Sequence, residues 1–211
     1  MEQAARRLQV TALLYASVFF LGGTLPVLLL PAERAAFLAS PMRWLPTLLS
    51  IGGSLLVARL ATRPTLAADV VSRLGLVYQV LGSIGIAWVE YLQPMAGAVA
   101  MSPLHGLSWV SVWILAFTVV VPSHPTSALV AALASATVVP VVSAVAMSLG
   151  YLPVASPLEF FLRVVLPYLL VVVVASVSAR LVYSLGLDLK RALDLGSYQL
   201  GEGPFWDDLA G

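Results

Sequence analysis

The chain has 211 residues, of which 60% are apolar and only 10% charged, with a mean hydropathy of +0.98. Soluble domains carry about 25% charged residues, so this composition excludes an ordinary soluble domain and describes an integral membrane protein. A formal net charge of +1 leaves no basic field for nucleic acid, and the absence of cysteine excludes disulfides, thiolate catalysis and Cys-based metal sites.

A helix needs about 20 apolar residues to cross a ~30 Å hydrocarbon core, and runs near that length predict six spans. The first is Leu8 to Leu30, which follows Arg6-Arg7. It exceeds the ~7 to 15 residues of a signal-peptide core and is expected to stay as an anchor. The second, Leu45 to Leu60, is the weakest, because Pro46 and Gly52-Gly53 interrupt it and Arg59 ends it, so five spans stand as the alternative.

The third span, Leu74 to Leu92, carries Gly75, Gly82 and Gly85 near one face, as expected where helices pack closely. Tyr78 and Gln79 are its deeper polar groups, candidates for hydrogen bonds to a neighbouring helix or for substrate contact. Glu90 stands two residues from the outer end of this span beside Trp88 and Tyr91. It is expected as an interfacial carboxylate or, alternatively, as an extracytoplasmic ligand contact or partner of Arg163.

The fourth span is Leu104 to Val121, and the fifth is Thr126 to Leu149. Within the fifth, Ala128, Ala132, Ala136, Pro140, Ala144 and Ser148 recur every four residues, predicting a strip of small side chains for helix packing. Either small-residue strip could instead line a cavity for a small apolar ligand. Pro26, Pro46, Pro140 and Pro167 each remove a helical hydrogen bond and are candidate hinges.

The sixth span, Leu158 to about Leu185, continues into a helix with Leu181, Leu185, Leu189 and Leu193 on one face. Asp188 with Arg191, and Lys190 with Asp194, are spaced for ion pairs. Such a helix could carry a conformational change or a dimer contact, or lie on the membrane with its basic pair on anionic headgroups.

The eleven cations divide unequally between the sides of a six-span bundle. Arg6, Arg7, Arg59, Arg63, Arg73, Arg180, Lys190 and Arg191 fall on one side, and Arg34, Arg43 and Arg163 on the other. Lys/Arg excess marks the cytoplasmic side, so both termini are expected there, with Trp44, Trp88, Trp109 and Tyr91 near the outer ends of their spans. His105 and His124 fall on opposite sides and cannot share a metal. No paired acids or Ser/His/Asp set occurs within the membrane, so no catalytic, cofactor-binding or metal residue is expected. There is neither an internal repeat nor a matched pair of broken helices to favour a carrier.

Three stretches, "LGLVYQVLGSIGIAWVEY" (Leu74 to Tyr91), "GLSWVSVWILAFTVVVPSHPTSALVAALASAT" (Gly106 to Thr137) and "RLVYSLGLDLKRALDLGSYQL" (Arg180 to Leu200), resemble the N-terminal membrane region of certain bacterial serine/threonine protein kinases. In that family a basic helix leaves the last span and runs into a "GSYxL" strand that opens the kinase domain. Gly196, Ser197, Tyr198 and Leu200 fit this opening. Gly201 and Gly203 have the G-x-G spacing of the glycine-rich loop, but Trp206 stands where its third glycine belongs, and no V-A-I-K, H-R-D or D-F-G element follows.

The resemblance implies a membrane anchor and sensor or dimerisation domain, truncated before the catalytic domain, in the bacterial cytoplasmic membrane. Its expected partners are the lipid bilayer and a second copy or another membrane protein. The expected organisation is an all-α bundle of about six spans over 1–187, a juxtamembrane helix and the start of a kinase-like strand over 188–200, and a disordered tail over 201–211. A small multi-span transporter or partner-binding membrane protein is the alternative, and a purely structural anchor is a third possibility.

Overall fold

The computed structural model describes residues 2–63, 67–92, 108–121 and 123–201, and no strand occurs among them. The helices are α1 (Glu2–Phe19), α2 (Leu25–Leu29), α3 (Pro31–Leu38), α4 (Pro41–Ala61), α5 (Ala68–Tyr91), α6 (Trp109–Val120), α7 (Pro125–Ser148), α8 (Pro157–Phe160) and α9 (Leu166–Gly201). Five helical stretches are long and apolar enough to cross a membrane: Ala4–Leu29, Pro41–Ala61, Asp69–Tyr91, Pro125–Ser148 and Pro157–Leu189. In lipid every backbone polar group must be satisfied within the protein, and helices do this segment by segment.

The fourth predicted span differs. Its described helix, α6, has 12 residues, and at 1.5 Å per residue it is about 18 Å long, well short of the hydrocarbon layer. Residues 104–107, where the apolar run begins, lie outside the described residues, as do His105 and 202–211 of the expected tail. A boundary signal is present at Ser108, whose side chain accepts a hydrogen bond from the Val110 N–H and caps the helix there.

Side-chain contacts define the two ends of the bundle. A Cβ at Gly75 would meet Leu8 and Val121, and the rings of His124 and Tyr183 pack edge to face, which gathers the arginine-rich ends of α1, α5, α6, α7 and α9. At the opposite end Gly23 faces Thr47, and Glu90 contacts Ser108 and Trp109. The five membrane-length segments and the shorter α6 therefore alternate in direction.

Two cores share α5 and α6. One is built by Leu8, Ala12, Tyr15, Val57, Tyr78, Trp113 and Phe117; the other by Ala87, Ile114, Ala132, Val139, Tyr168 and Ala175 with their neighbours. Outward, the helices present leucine and valine, such as Leu49, Leu81, Val130 and Leu170. An all-round apolar surface suits a lipid surrounding in place of water.

Two π-helical turns interrupt the first and last long segments, at Phe20–Thr24 and Phe161–Val165. Each ends one residue before a Leu-Pro pair, Leu25-Pro26 and Leu166-Pro167, in the shared pattern F-L-x-x-x-L-P. Proline clashes with the carbonyl four residues back, and the wider turn relieves this by moving the bond to the fifth residue. Leu25 N–H donates to the Phe20 carbonyl, and Leu166 N–H to that of Phe161. Pro26 and Pro167 thus widen the helix, whereas Pro46 and Pro140 sit inside α4 and α7 without such a turn.

The expected kinase-like strand is absent. Helix α9 continues through Gly196, Ser197 and Tyr198 to Gly201. A strand needs a neighbour to take its backbone hydrogen bonds, and no strand is described; the helix satisfies those groups within itself.

Candidate functional site

The first polar centre lies between α1, α4, α5 and α6. Tyr15 stacks on Phe19 at 4.7 Å, one turn along α1, and sits 4.7 Å from Trp113, while Tyr78 packs edge-on to Trp113 at 5.7 Å. The polar tips of these rings all find acceptors or donors, as buried Tyr and Trp do. Tyr15 donates to the Gly82 carbonyl at 2.7 Å, Trp113 Nε1 to the Gln79 carbonyl at 2.9 Å, and Tyr78 pairs with Ser54 at 2.8 Å. Ser83 adds a hydrogen bond to the same Gln79 carbonyl at 3.0 Å.

The glycines make this closeness possible to different degrees. A Cβ on Gly82 would fall 2.9 Å from Trp113 Nε1, and one on Gly85 would fall 2.5 Å from Ser50 Oγ and 2.9 Å from the Tyr15 hydroxyl. On Gly75 the nearest atoms would be at 3.6 Å, an ordinary contact. Gly82 and Gly85 thus seat the aromatic cluster, and Gly75 only borders it.

The second centre is at the other end. Glu90 accepts hydrogen bonds from Ser108 Oγ and, at 2.8 Å, from the Trp109 N–H, so its carboxylate sits on the first turn of α6. That position satisfies otherwise unpaired N–H groups and matches the positive end of the helix dipole. Tyr168, only 6% exposed, stands beside Ser108, Ser111 and Tyr91.

The predicted residues are thereby distributed. Tyr78 and Gln79 belong to the first centre, while Glu90 lies eleven residues, or about 16 Å, further along α5. Glu90 is not the partner of Arg163. Arg163 binds Glu159 at 3.1 Å, because that acid lies one turn away on the same segment, while the start of α6 supplies Glu90 with donors. Tyr91, expected at the headgroups, is 8% exposed within the core, whereas Trp109 stands outward at 66%.

Ala128, Ala132 and Ala136 are buried, with α7 packed against α5 and α9. Ala144 and Ser148, of the same four-residue series, are exposed. The reason is geometric: four residues overshoot a 3.6-residue turn by about 40°, so the strip winds off the interface, and the buried face instead follows Ser135, Val139, Ser143 and Ala146. Leu181, Leu185 and Leu189 point outward from α9, beside an Asp188–Arg191 pair at 3.5 Å. The side chains of Leu193, Lys190 and Asp194 lie outside the described residues.

Tyr15, Trp113, Ser54, Ser108 and Tyr168 did not stand out in the sequence. Their signal was a polar tip inside an apolar run, or a serine just before one. Buried groups without a hydrogen-bond partner include Gln79 Nε2, Trp88 Nε1, Ser135 Oγ, Ser143 Oγ and the Tyr168 hydroxyl. No cluster of three His, Cys, Asp or Glu is found among the described residues.

Such a bundle, with five membrane-length apolar helices, a lipid-suited exterior and a hydrogen-bonded polar interior, defines a helical membrane protein. Comparison with protein-family models, with curated proteins and with solved structures returns no match for this chain.

Proposed function

We propose that the chain is a multi-pass anchor and sensor domain of the bacterial cytoplasmic membrane, with six spans and both termini cytoplasmic. It serves a receptor-like serine/threonine protein kinase system by passing signals along α9. The observation that supports it best is α9 itself, an uninterrupted helix of 36 residues. It packs into the core through Tyr168, Val172 and Ala175, meets His124 through Tyr183, and runs about 27 Å past that residue. A continuous helix transmits rotation or translation from the bundle to whatever follows.

The test joins a dimerisation-dependent reporter domain after Gly201 in a bacterial membrane. Two alanines inserted after Gly186 rotate the distal helix by about 200° and are expected to abolish or invert reporter output, whereas four, which restore the phase to within about 40°, retain most of it. Output indifferent to both insertions would refute transmission through α9. Replacing the bundle by an unrelated one of equal span number separates a sensor from a structural anchor, which alone would tolerate the exchange.

The transporter alternative is favoured by Gln79, whose amide Nε2 is buried without a partner at mid-span. A polar substrate would satisfy it. Vesicles containing the chain should then show substrate-dependent flux that Gln79→Leu removes, and a broad panel without flux would count against a carrier.

A further inference from the structure

An open groove runs along the outside of the bundle between α5 and α7, with a volume of about 540 Å³. Its walls are Leu76, Val80, Leu81, Val130, Ala131 and Ala134, with Thr126 and Ser127 at one end. It exists because small residues on α7 face branched ones on α5, leaving space that no side chain fills. The polar end lies near His124 and Val121, the arginine-rich end of the bundle. There the Thr126 hydroxyl is held by His124 Nδ1 at 2.8 Å, while Ser127 makes no side-chain hydrogen bond among the described residues.

Arg73 stands on α5 just before the lining residues. It precedes Leu76, Val77 and Val80 by three, four and seven residues, so all four share one face of α5. Arg73 is exposed and forms no ion pair among the described residues, although Asp69 lies one turn before it. From Arg73 to Leu81 the helix rises about 12 Å, close to the ~15 Å depth of one leaflet's hydrocarbon. A cation and a free hydroxyl thus stand above an apolar trough of leaflet depth.

The geometry points to a binding site for one anionic phospholipid, its phosphate on Arg73 and Ser127 and an acyl chain along the α5/α7 groove. An exposed cation above an apolar trough of leaflet depth selects this occupant, one anionic headgroup with its acyl chain; the exposed α5 and α7 surfaces are otherwise mostly leucine and valine, with Asp69 the exposed acid among their described residues. The site rests on the membrane placement of the bundle and not on the link to kinases.

The test uses the full chain in phosphatidylcholine vesicles doped with spin-labelled phosphatidylglycerol or spin-labelled phosphatidylcholine, reading the motionally restricted fraction by electron paramagnetic resonance. One basic contact with an anionic lipid predicts a preference for phosphatidylglycerol of about fivefold. Arg73→Gln is expected to remove that preference, Asp69→Asn to raise it, and Arg63→Gln, at the same end but in the loop after α4, to leave it unchanged. Val130→Phe, placed on an exposed position where it fills the groove without disturbing the core, should reduce the restricted fraction of both lipids. Equal losses from Arg63→Gln and Arg73→Gln, or no effect of Val130→Phe, would overturn the site and leave a diffuse cationic surface. No restricted fraction with either lipid would overturn the membrane placement as well.

Discussion

Gly82 and Gly75 lie two turns apart on the same helix, yet their substitution by alanine should have opposite effects. At Gly82 the new methyl would press on Trp113 Nε1 at 2.9 Å, and the indole cannot yield without losing its hydrogen bond to the Gln79 carbonyl. Overpacking of this kind costs about 1–3 kcal/mol. At Gly75 the methyl meets neighbours at 3.6 Å, so relief of the glycine's chain entropy should dominate and stabilise by about 0.4–1 kcal/mol. Thermal unfolding of the two variants in the same detergent checks the signs. Sequence alone placed both glycines on a packing face; it could not rank them, because the ranking depends on which ring arrives from α6.

The same limit applies to Glu90. Its place near a span end was legible, but its partner was not, since Arg163 is distant in sequence and Ser108 carries no charge. Ser108→Ala removes both the cap of α6 and one donor to the carboxylate, and should cost about 0.5–2 kcal/mol. Arg163→Gln breaks a half-exposed pair one turn long and should change stability by no more than about 0.5 kcal/mol. Equal losses in the two variants would restore Arg163 as a partner of Glu90.

For the elements, apolar run length located all five membrane-length helices to within a few residues. It located α6 less well, because length in a sequence counts apolar residues and not the turn at which a cap closes the helix. The π turns were hidden too. Each proline was visible as a missing donor, but whether the chain answers with a kink or a wider turn depends on the residues before it. The repeated F-L-x-x-x-L-P pattern is where that choice is now readable. Pro167→Ala removes the clash, so Phe161–Val165 should relax to α-helix and rotate the segment before it. Cysteine pairs joining this segment to α7, introduced into a chain with no native cysteine, should change their cross-linking pattern while pairs below Leu166 keep theirs.

Across the whole molecule, the alternation of the long segments puts Arg6, Arg63, Arg73 and Arg180 at one end and Arg34 and Arg163 at the other. Single cysteines replacing these arginines test the proposed orientation directly. Membrane-impermeant maleimide on intact cells should label positions 34 and 163 only, and the other four only after lysis. Reversed labelling would invert the bundle. The outward leucines of α9 belong to this scale as well, because a helix that leaves the bundle with Leu185 and Leu189 exposed needs membrane, partner or second copy to cover them.

Sequence by itself determined the class of protein and the places where helices cross, because transfer of apolar side chains into hydrocarbon is additive along a chain and needs no neighbour to be counted. Only the tertiary structure decided that Ala128, Ala132 and Ala136 face inward while Ala144 does not, that Tyr15 and Trp113 serve the carbonyls of α5, and that Glu90 binds the first turn of α6. Those outcomes depend on distance and direction between segments far apart in sequence. A hydrogen bond is lost within an ångström of misplacement, whereas hydropathy tolerates a whole turn.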